Sequence, residues 1–293
     1  MRRLAPAALA AVLLAQAAAA DAVVPGRNGR IAFVAGGQVS LVDADGTRRV
    51  RVTRGADSHA SPSLSPDGRR VAVEVFRLGA PGGTLAEIAV VGVNGRGLRT
   101  LTRDSMDDRD PSWSPDGRRI VFSRGDGSGG SRLAVVGADG RGLRYLTQRM
   151  RDGDRDPAWS PDGRSIAFVS NRGGRPQVWV VPASGGRARR VSPAAAFDSD
   201  PAWSPDSRRL ALVRDRRVGA HRFVADLWVV LANGRRPVRL TRTPAREAGP
   251  AWSPDGRRIA VTIGRRISVL SAAGRRLGPR RAIAGSEPEW GRR

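Results

Sequence analysis

The chain has 293 residues, 40% of them hydrophobic, enough apolar material for a packed core rather than a disordered chain. The formal net charge is +24, and all 51 basic residues are Arg, a bias that a GC-rich genome produces as readily as function does. There is no Cys, which excludes disulfides, thiolate metal sites, a cysteine nucleophile and a lipid-modified N-terminal Cys.

The chain opens like a secretory signal. Arg2 and Arg3 precede an apolar stretch from Leu4 to Ala20, which ends in the small residues Ala18, Ala19 and Ala20. The stretch is short for a membrane anchor, so residues 1–22 are expected to be a cleaved signal peptide. Residues 23–293 then form one domain of an exported protein, periplasmic or extracellular. Nothing later in the chain is apolar enough to span a bilayer.

One phrase then recurs. It appears as Ser61-Pro-Ser-Leu-Ser-Pro-Asp-Gly68, Asp110-Pro-Ser-Trp-Ser-Pro-Asp-Gly117 and Asp156-Pro-Ala-Trp-Ser-Pro-Asp-Gly163. It returns as Asp200-Pro-Ala-Trp-Ser-Pro-Asp-Ser207 and Gly249-Pro-Ala-Trp-Ser-Pro-Asp-Gly256, and in truncated form as Glu287-Pro-Glu-Trp-Gly291. The repeat prolines stand 49, 46, 44, 49 and 38 residues apart, a period that points to propeller blades or helical arrays. The intervening segments decide between them. Each phrase is followed by a short β-rich run, such as Val71-Ala-Val-Glu-Val75 or Ile166-Ala-Phe-Val169, and Ile31-Ala-Phe-Val34 opens the series. A second run follows, as in Gln177-Val-Trp-Val-Val181, and a third ends in Thr, as in Arg99-Thr-Leu-Thr102. Ser-Pro-Asp-Gly suits a type I turn followed by a left-handed residue, and Asn94-Gly95, Asp139-Gly140 and Asn233-Gly234 mark the next hairpins. No window carries a sustained helical stripe.

These features predict an all-β chain: a six-bladed β-propeller of four-stranded blades. The first repeat lacks its own Pro-x-Trp strand and the C-terminus supplies one, so the C-terminal strand is expected to close the first blade and remove the open sheet edge. Trp113, Trp159, Trp203, Trp252 and Trp290 recur once per blade, which suits packing between adjacent blades better than a ligand cage.

The phrase Asp-Pro-x-Trp-Ser-Pro-Asp-Gly-Arg-x-Ile-Ala-Phe resembles the WD40-like, or PD40, repeat of TolB-type propellers over essentially the whole of residues 23–293. The resemblance implies the fold strongly and the function weakly. Such repeats occur in the periplasmic TolB protein, which binds other envelope proteins, and in the propellers of prolyl-oligopeptidase-like and dipeptidyl-peptidase-like enzymes. This sequence departs from both patterns. Only about eight residues separate the signal from the first strand, where TolB-like proteins usually carry a small α/β domain. No hydrolase domain follows the repeats.

Catalytic signals are thin. No Gly-x-Ser-x-Gly occurs, the only histidines are His59 and His221, and there is no His-x-x-x-His. Asp43-Ala-Asp45-Gly46 lacks the downstream ligands of a calcium loop and suits a hairpin turn. No metal and no cofactor is therefore expected. A denser signal lies in the loops entering the Pro-x-Trp strands. Before the repeat prolines stand Ser61, Asp110, Asp156, Asp200, Gly249 and Glu287, and two residues earlier stand His59, Asp108, Asp154, Asp198, Glu247 and Gly285. Propeller symmetry would gather these at one channel mouth as a broken ring of up to eight carboxylates. Each carboxylate could cap its own turn, bind a cation or basic ligand, or do both. Arg concentrates at the other strand ends, as in Arg69, Arg118, Arg208 and Arg257, so the disc should be acidic at one mouth and basic opposite.

Three functions follow. The first is a non-catalytic scaffold, expected as a monomer, that binds an envelope protein, a peptide or a small ligand at the acidic mouth. The second is a hydrolase or lyase using channel carboxylates, although only Phe197 is placed to help hold a sugar. The third is a surface that binds an anionic envelope polymer or a membrane through the Arg-rich face. Nucleic acid is disfavoured, because the aromatics are few and sit at blade positions.

Overall fold

A strand covered on both faces has no polar side, and the second and third strand of each repeat read that way. Seven-residue Arg70–Phe76 is buried at every position after Arg70, and all five residues of Gln38–Val42 are buried. Such strands belong inside a stack of sheets. The computed structural model describes residues 28–76, 85–126, 129–218, 223–277 and 282–292. The expected signal peptide, residues 1–22, and His221 lie outside them.

The described residues form six antiparallel four-stranded sheets. Their innermost strands are Ser286–Arg292, Ser58–Leu64, Asp107–Trp113, Arg155–Trp159, Asp198–Trp203 and Glu247–Trp252, for blades 1 to 6. Each touches the innermost strand of both neighbours, so the sheets close into a ring. Blade 1 is completed by its C-terminal strand, with Ile31 opposite Trp290 and Ala32 opposite Glu289, which is the predicted closure. Six apolar clusters fill the gaps, most combining residues of two adjacent blades; Trp113 of blade 3, for example, packs with Ala72, Ile88 and Val90 of blade 2. The five repeat tryptophans are at most 2% exposed.

Two local devices recur. The Ser-Pro-Asp-Gly turn places its fourth residue in the left-handed region, from Gly68 (φ 67°) to Ser207 (φ 56°). Ser65 Oγ donates to Asp67 Oδ1 (2.5 Å) and accepts from the Arg70 N–H (2.9 Å), and the same bonds recur at Ser114 and Ser204. The second device shortens the outer strand. The sequence predicts about four residues there, but the ladder is two long, as at Arg99–Thr100. The reason is a side chain standing in for a backbone. Thr102 Oγ1 accepts the Ile88 N–H (3.0 Å), and Thr53, Thr147, Ser192 and Thr241 do the same for Val39, Leu133, Val178 and Leu227.

Candidate functional site: the channel and its mouth

The innermost strands line the channel, and each is interrupted at the same place. Ser61, Asp110, Asp156, Asp200, Gly249 and Glu287 all have φ between 46° and 55°. The pairing register shifts there in every blade, as between Ala60 and Ser63 or between Arg109 and Ser112. The following proline carries no N–H for the ladder, so the strand bulges and turns its polar residue toward the axis. Five of the six are not Gly, and the left-handed region costs such residues roughly 1–2 kcal/mol each. Strain held at five of six symmetric positions needs a partner that fixes it.

That partner is a neighbouring blade. Glu287 Oε2 of blade 1 accepts the Ser61 N–H of blade 2 (2.8 Å). Asp110 Oδ2 of blade 3 accepts the Asp156 N–H of blade 4 (3.3 Å), and Asp200 Oδ2 of blade 5 accepts the Gly249 N–H of blade 6 (2.9 Å). Glu287, Asp110 and Asp200 therefore cap the next blade's bulge, not their own turn. Blade 2 has Ser61 where an acid is needed, and Glu74 from its second strand fills the role by accepting the Asp110 N–H (2.7 Å). Sequence reasoning missed Glu74. The signal was present: Glu74 is an acid inside the apolar run Val71-Ala-Val-Glu-Val75, in a blade whose bulge residue, Ser61, carries no carboxylate.

Burial and crowding keep these acids protonated to unusually high pH. Burial, with Asp110 beside it, pushes Glu74 up to about 8. Burial and Asp156 raise Asp110 well above the carboxylate range. Burial raises Asp156 to about 7, with Asp200 adding to it and Arg155 opposing. Asp200 is lifted by burial to about 7 against the pull of the Gly249 N–H, and Glu287 likewise to about 7 against that of Ser61. Near neutral pH the ring holds protons and charge together.

The outer predicted residues behave differently. Asp108, Asp154 and Asp198 are at most 1% exposed and each meets an Arg of its own blade. Arg124 Nη1 donates to Asp108 (3.2 Å) and also reaches Asp104. Arg172 Nη2 donates to both oxygens of Asp154 (2.8 Å each), and Arg214 grips Asp198 with Nε and Nη2 (2.6 and 2.8 Å). Burial nonetheless raises Asp108 to about 7. Glu247 accepts from the Leu227 N–H (2.8 Å) and from the hydroxyls of Thr241 and Thr243 (2.5 and 3.0 Å). His59 is buried, neither ring nitrogen finds a hydrogen-bond partner, and burial lowers its pKa, so it is neutral. The structure thus divides the predicted ring: Asp110, Asp156, Asp200 and Glu287 stand at the inner bulges, Asp108, Asp154 and Asp198 pair with an Arg of their own blade, Glu247 of blade 6 is bound to blade 5 through Leu227 and Thr241, and His59 is buried. Among the described residues no group of three or more acids or histidines could hold a metal ion.

The mouth itself is a cavity of about 380 Å³. Asp110, Asp156 and Asp200 line it together with Arg109, Arg155 and Arg246. The predicted acidic mouth is therefore mixed in sign, because Arg occupies the residue between the inner and outer acid in blades 3 and 4. Its rim is uneven. The second and third strands are joined by two residues in blade 1 (36–37) and blade 6 (264–265), but by nine in blade 2 (77–85). Blade 5 extends both strands to nine residues and exposes Phe223 (61%), with Phe197 (43%) on the same side under the Arg175 guanidinium. On the opposite face, part of the predicted Arg concentration is structural: Arg70, Arg119 and Arg209 lie over the rings of Trp113, Trp159 and Trp252.

Comparison with known proteins agrees with this architecture. No curated protein matches the chain. Among solved structures, TolB from Acinetobacter baumannii aligns with a TM-score of 0.73 at 25% identity, over 90% of this chain and 67% of that one. The nidogen/laminin complex (TM-score 0.70, 12% identity, 89% of this chain and 97% of that one) shares the fold alone. So does a puromycin hydrolase S511A mutant complexed with PGG (TM-score 0.63, 19% identity, 88% and 46%). Since a binding protein and a hydrolase share the fold, the propeller by itself decides nothing about catalysis. The model of the TolB β-propeller domain, PD40, matches residues 27–225, more than half of the sequence. The chain belongs to the PD40, TolB β-propeller domain family.

Proposed function

We propose that this chain is a non-catalytic scaffold that binds a segment of another protein at the channel mouth. A TolB-like propeller supports a protein-binding role in general terms. The observation that carries the reading is the cavity of about 380 Å³ in which Asp110, Asp156 and Asp200 meet Arg109, Arg155 and Arg246. Its size suits one or two residues of an inserted segment. Its two signs suit a segment that brings both a basic and an acidic group, and such complementarity sets register and excludes wrong partners. The exposed Phe197 and Phe223 offer apolar contact on the same side for the rest of the partner. The signal-like character of residues 1–22 supports a meeting outside the cytoplasm, in the periplasm or beyond.

A thermal-shift screen tests this with basic, acidic and mixed-charge peptides and an anionic polymer, at low and high salt, on the native chain and on Arg155→Ser/Arg246→Ser. Mixed-charge peptides should raise Tm in the native chain and lose most of that effect in the variant. Stabilisation by the polymer alone, lost at high salt and unchanged in the variant, would overturn the proposal in favour of the Arg-rich face.

A further inference from the structure

The seam between blades 1 and 2 lacks what the other seams have. In blades 3 to 6 and blade 1 the innermost strand ends in a Trp that packs onto the preceding blade. Blade 2 has Leu64 at that position. The surroundings correspond residue by residue. Trp113 packs with Ala72, Ile88 and Val90 of blade 2; Leu64 packs with Ala32, Val39 and Leu41, which hold the same places in blade 1. Arg70, at the head of the second strand of blade 2, lies 4.7 Å over Trp113. Arg30 holds that place in blade 1 and has no ring to cover; it lies 3.6 Å from Asp43 instead.

The missing ring leaves space. A cavity of about 370 Å³ opens at this seam, lined by Leu41, Leu64 and Val93 with Arg30, Arg48 and Asp43 at its edge. It lies at the opposite end of the inner strands from the channel mouth. An apolar floor beneath a guanidinium is the environment the fold builds elsewhere for an indole. We propose that this cavity receives a tryptophan side chain from a partner polypeptide, seated on Leu64 and covered by Arg30 in the manner of Trp113 under Arg70. Residues 1–27 and Arg293 contain no aromatic side chain that could fill it.

The experiment titrates the full chain with a capped Gly-Trp-Gly peptide, the matching Gly-Leu-Gly peptide and free indole, followed by methyl NMR and calorimetry. Saturable binding of the Trp peptide with shifts confined to Leu41, Leu64 and Val93 is expected, with no binding of the Leu peptide. Leu64→Trp should fill the site and abolish binding. Arg30→Ser, a change at a half-exposed side chain, should weaken binding about two- to five-fold, the factor a surface cation–π contact supplies, and it keeps the test open if Leu64→Trp does not fold. Absence of saturable binding, or binding unaltered in either variant, overturns the proposal. Indole binding more tightly than the peptide would also overturn it, by making the cavity a small-molecule site.

Discussion

The inner and outer acids stand two residues apart in sequence, yet they meet opposite conditions. Asp200 lies on the channel side of its strand, caps the Gly249 N–H of the next blade, and is lifted by burial to about 7. Asp198 is buried as deeply but is gripped by both Arg214 nitrogens. The left-handed bulge separates the two, because it sends successive polar side chains to different sides of the strand. Burial raises Asp200 against the pull of Arg246 and Arg155, while Asp198 is held in place by a two-point contact with Arg214. Asp108, Asp154 and Asp198 therefore anchor blades 3, 4 and 5 each to itself, whereas Glu287, Asp110 and Asp200 join neighbouring blades at the channel.

The largest test of that contrast is to remove one outer partner. Asp198→Ala strands the Arg214 guanidinium and should cost roughly 3–5 kcal/mol in urea denaturation, whereas Asp200→Asn, whose carbonyl can still accept the Gly249 N–H, should cost far less. Equal losses would erase the distinction.

The next test is pH. The inner carboxyls bind protons more tightly folded than unfolded, so the folded chain takes up protons between the ordinary carboxyl value of about 4 and the folded values near 7 to 8. Their contribution is fully present below pH of about 4 and is lost as pH rises through about 7. Turn acids such as Asp67 and Asp116 work the other way. Burial raises them, but the Ser65 and Ser114 hydroxyls, backbone N–H groups and neighbouring Arg charges together hold them below the usual range, so their contribution fades only in acid. The urea midpoint should therefore fall between pH 5.5 and pH 8. Asp156→Asn/Asp200→Asn should flatten that fall and raise the midpoint at pH 8. A midpoint that rises with pH in the native chain would break the comparison.

The smallest effect is the outer-strand cap. Thr102→Val leaves the Ile88 N–H without its acceptor at nearly constant shape and should cost about 1 kcal/mol. A loss well below that would break the reading that the Thr102 hydroxyl replaces the outer-strand ladder.

Much of this molecule was legible in order of repeats. The prolines, the Ser-Pro-Asp-Gly turns and the once-per-blade Trp specify local conformation and a packing face, and these depend on neighbours in sequence. The candidate site was legible by half. The inner acids were locatable because symmetry places equivalent positions on one axis. The partnerships of the outer acids were not, because Arg124, Arg172 and Arg214 arrive from the next strand over, 16 to 18 residues on. Glu74 takes the capping role that Ser61 of blade 2 cannot fill, a substitution visible once the blades are superposed. The sequence by itself determined the number of blades, the strand order and the closing strand, since each follows from turn chemistry and period. Only the tertiary structure decided which carboxyls keep protons, which are neutralised, and where a Leu in place of a Trp opens a cavity. Those outcomes depend on burial and on the nearest charge, and both are properties of packing between blades rather than of any one repeat.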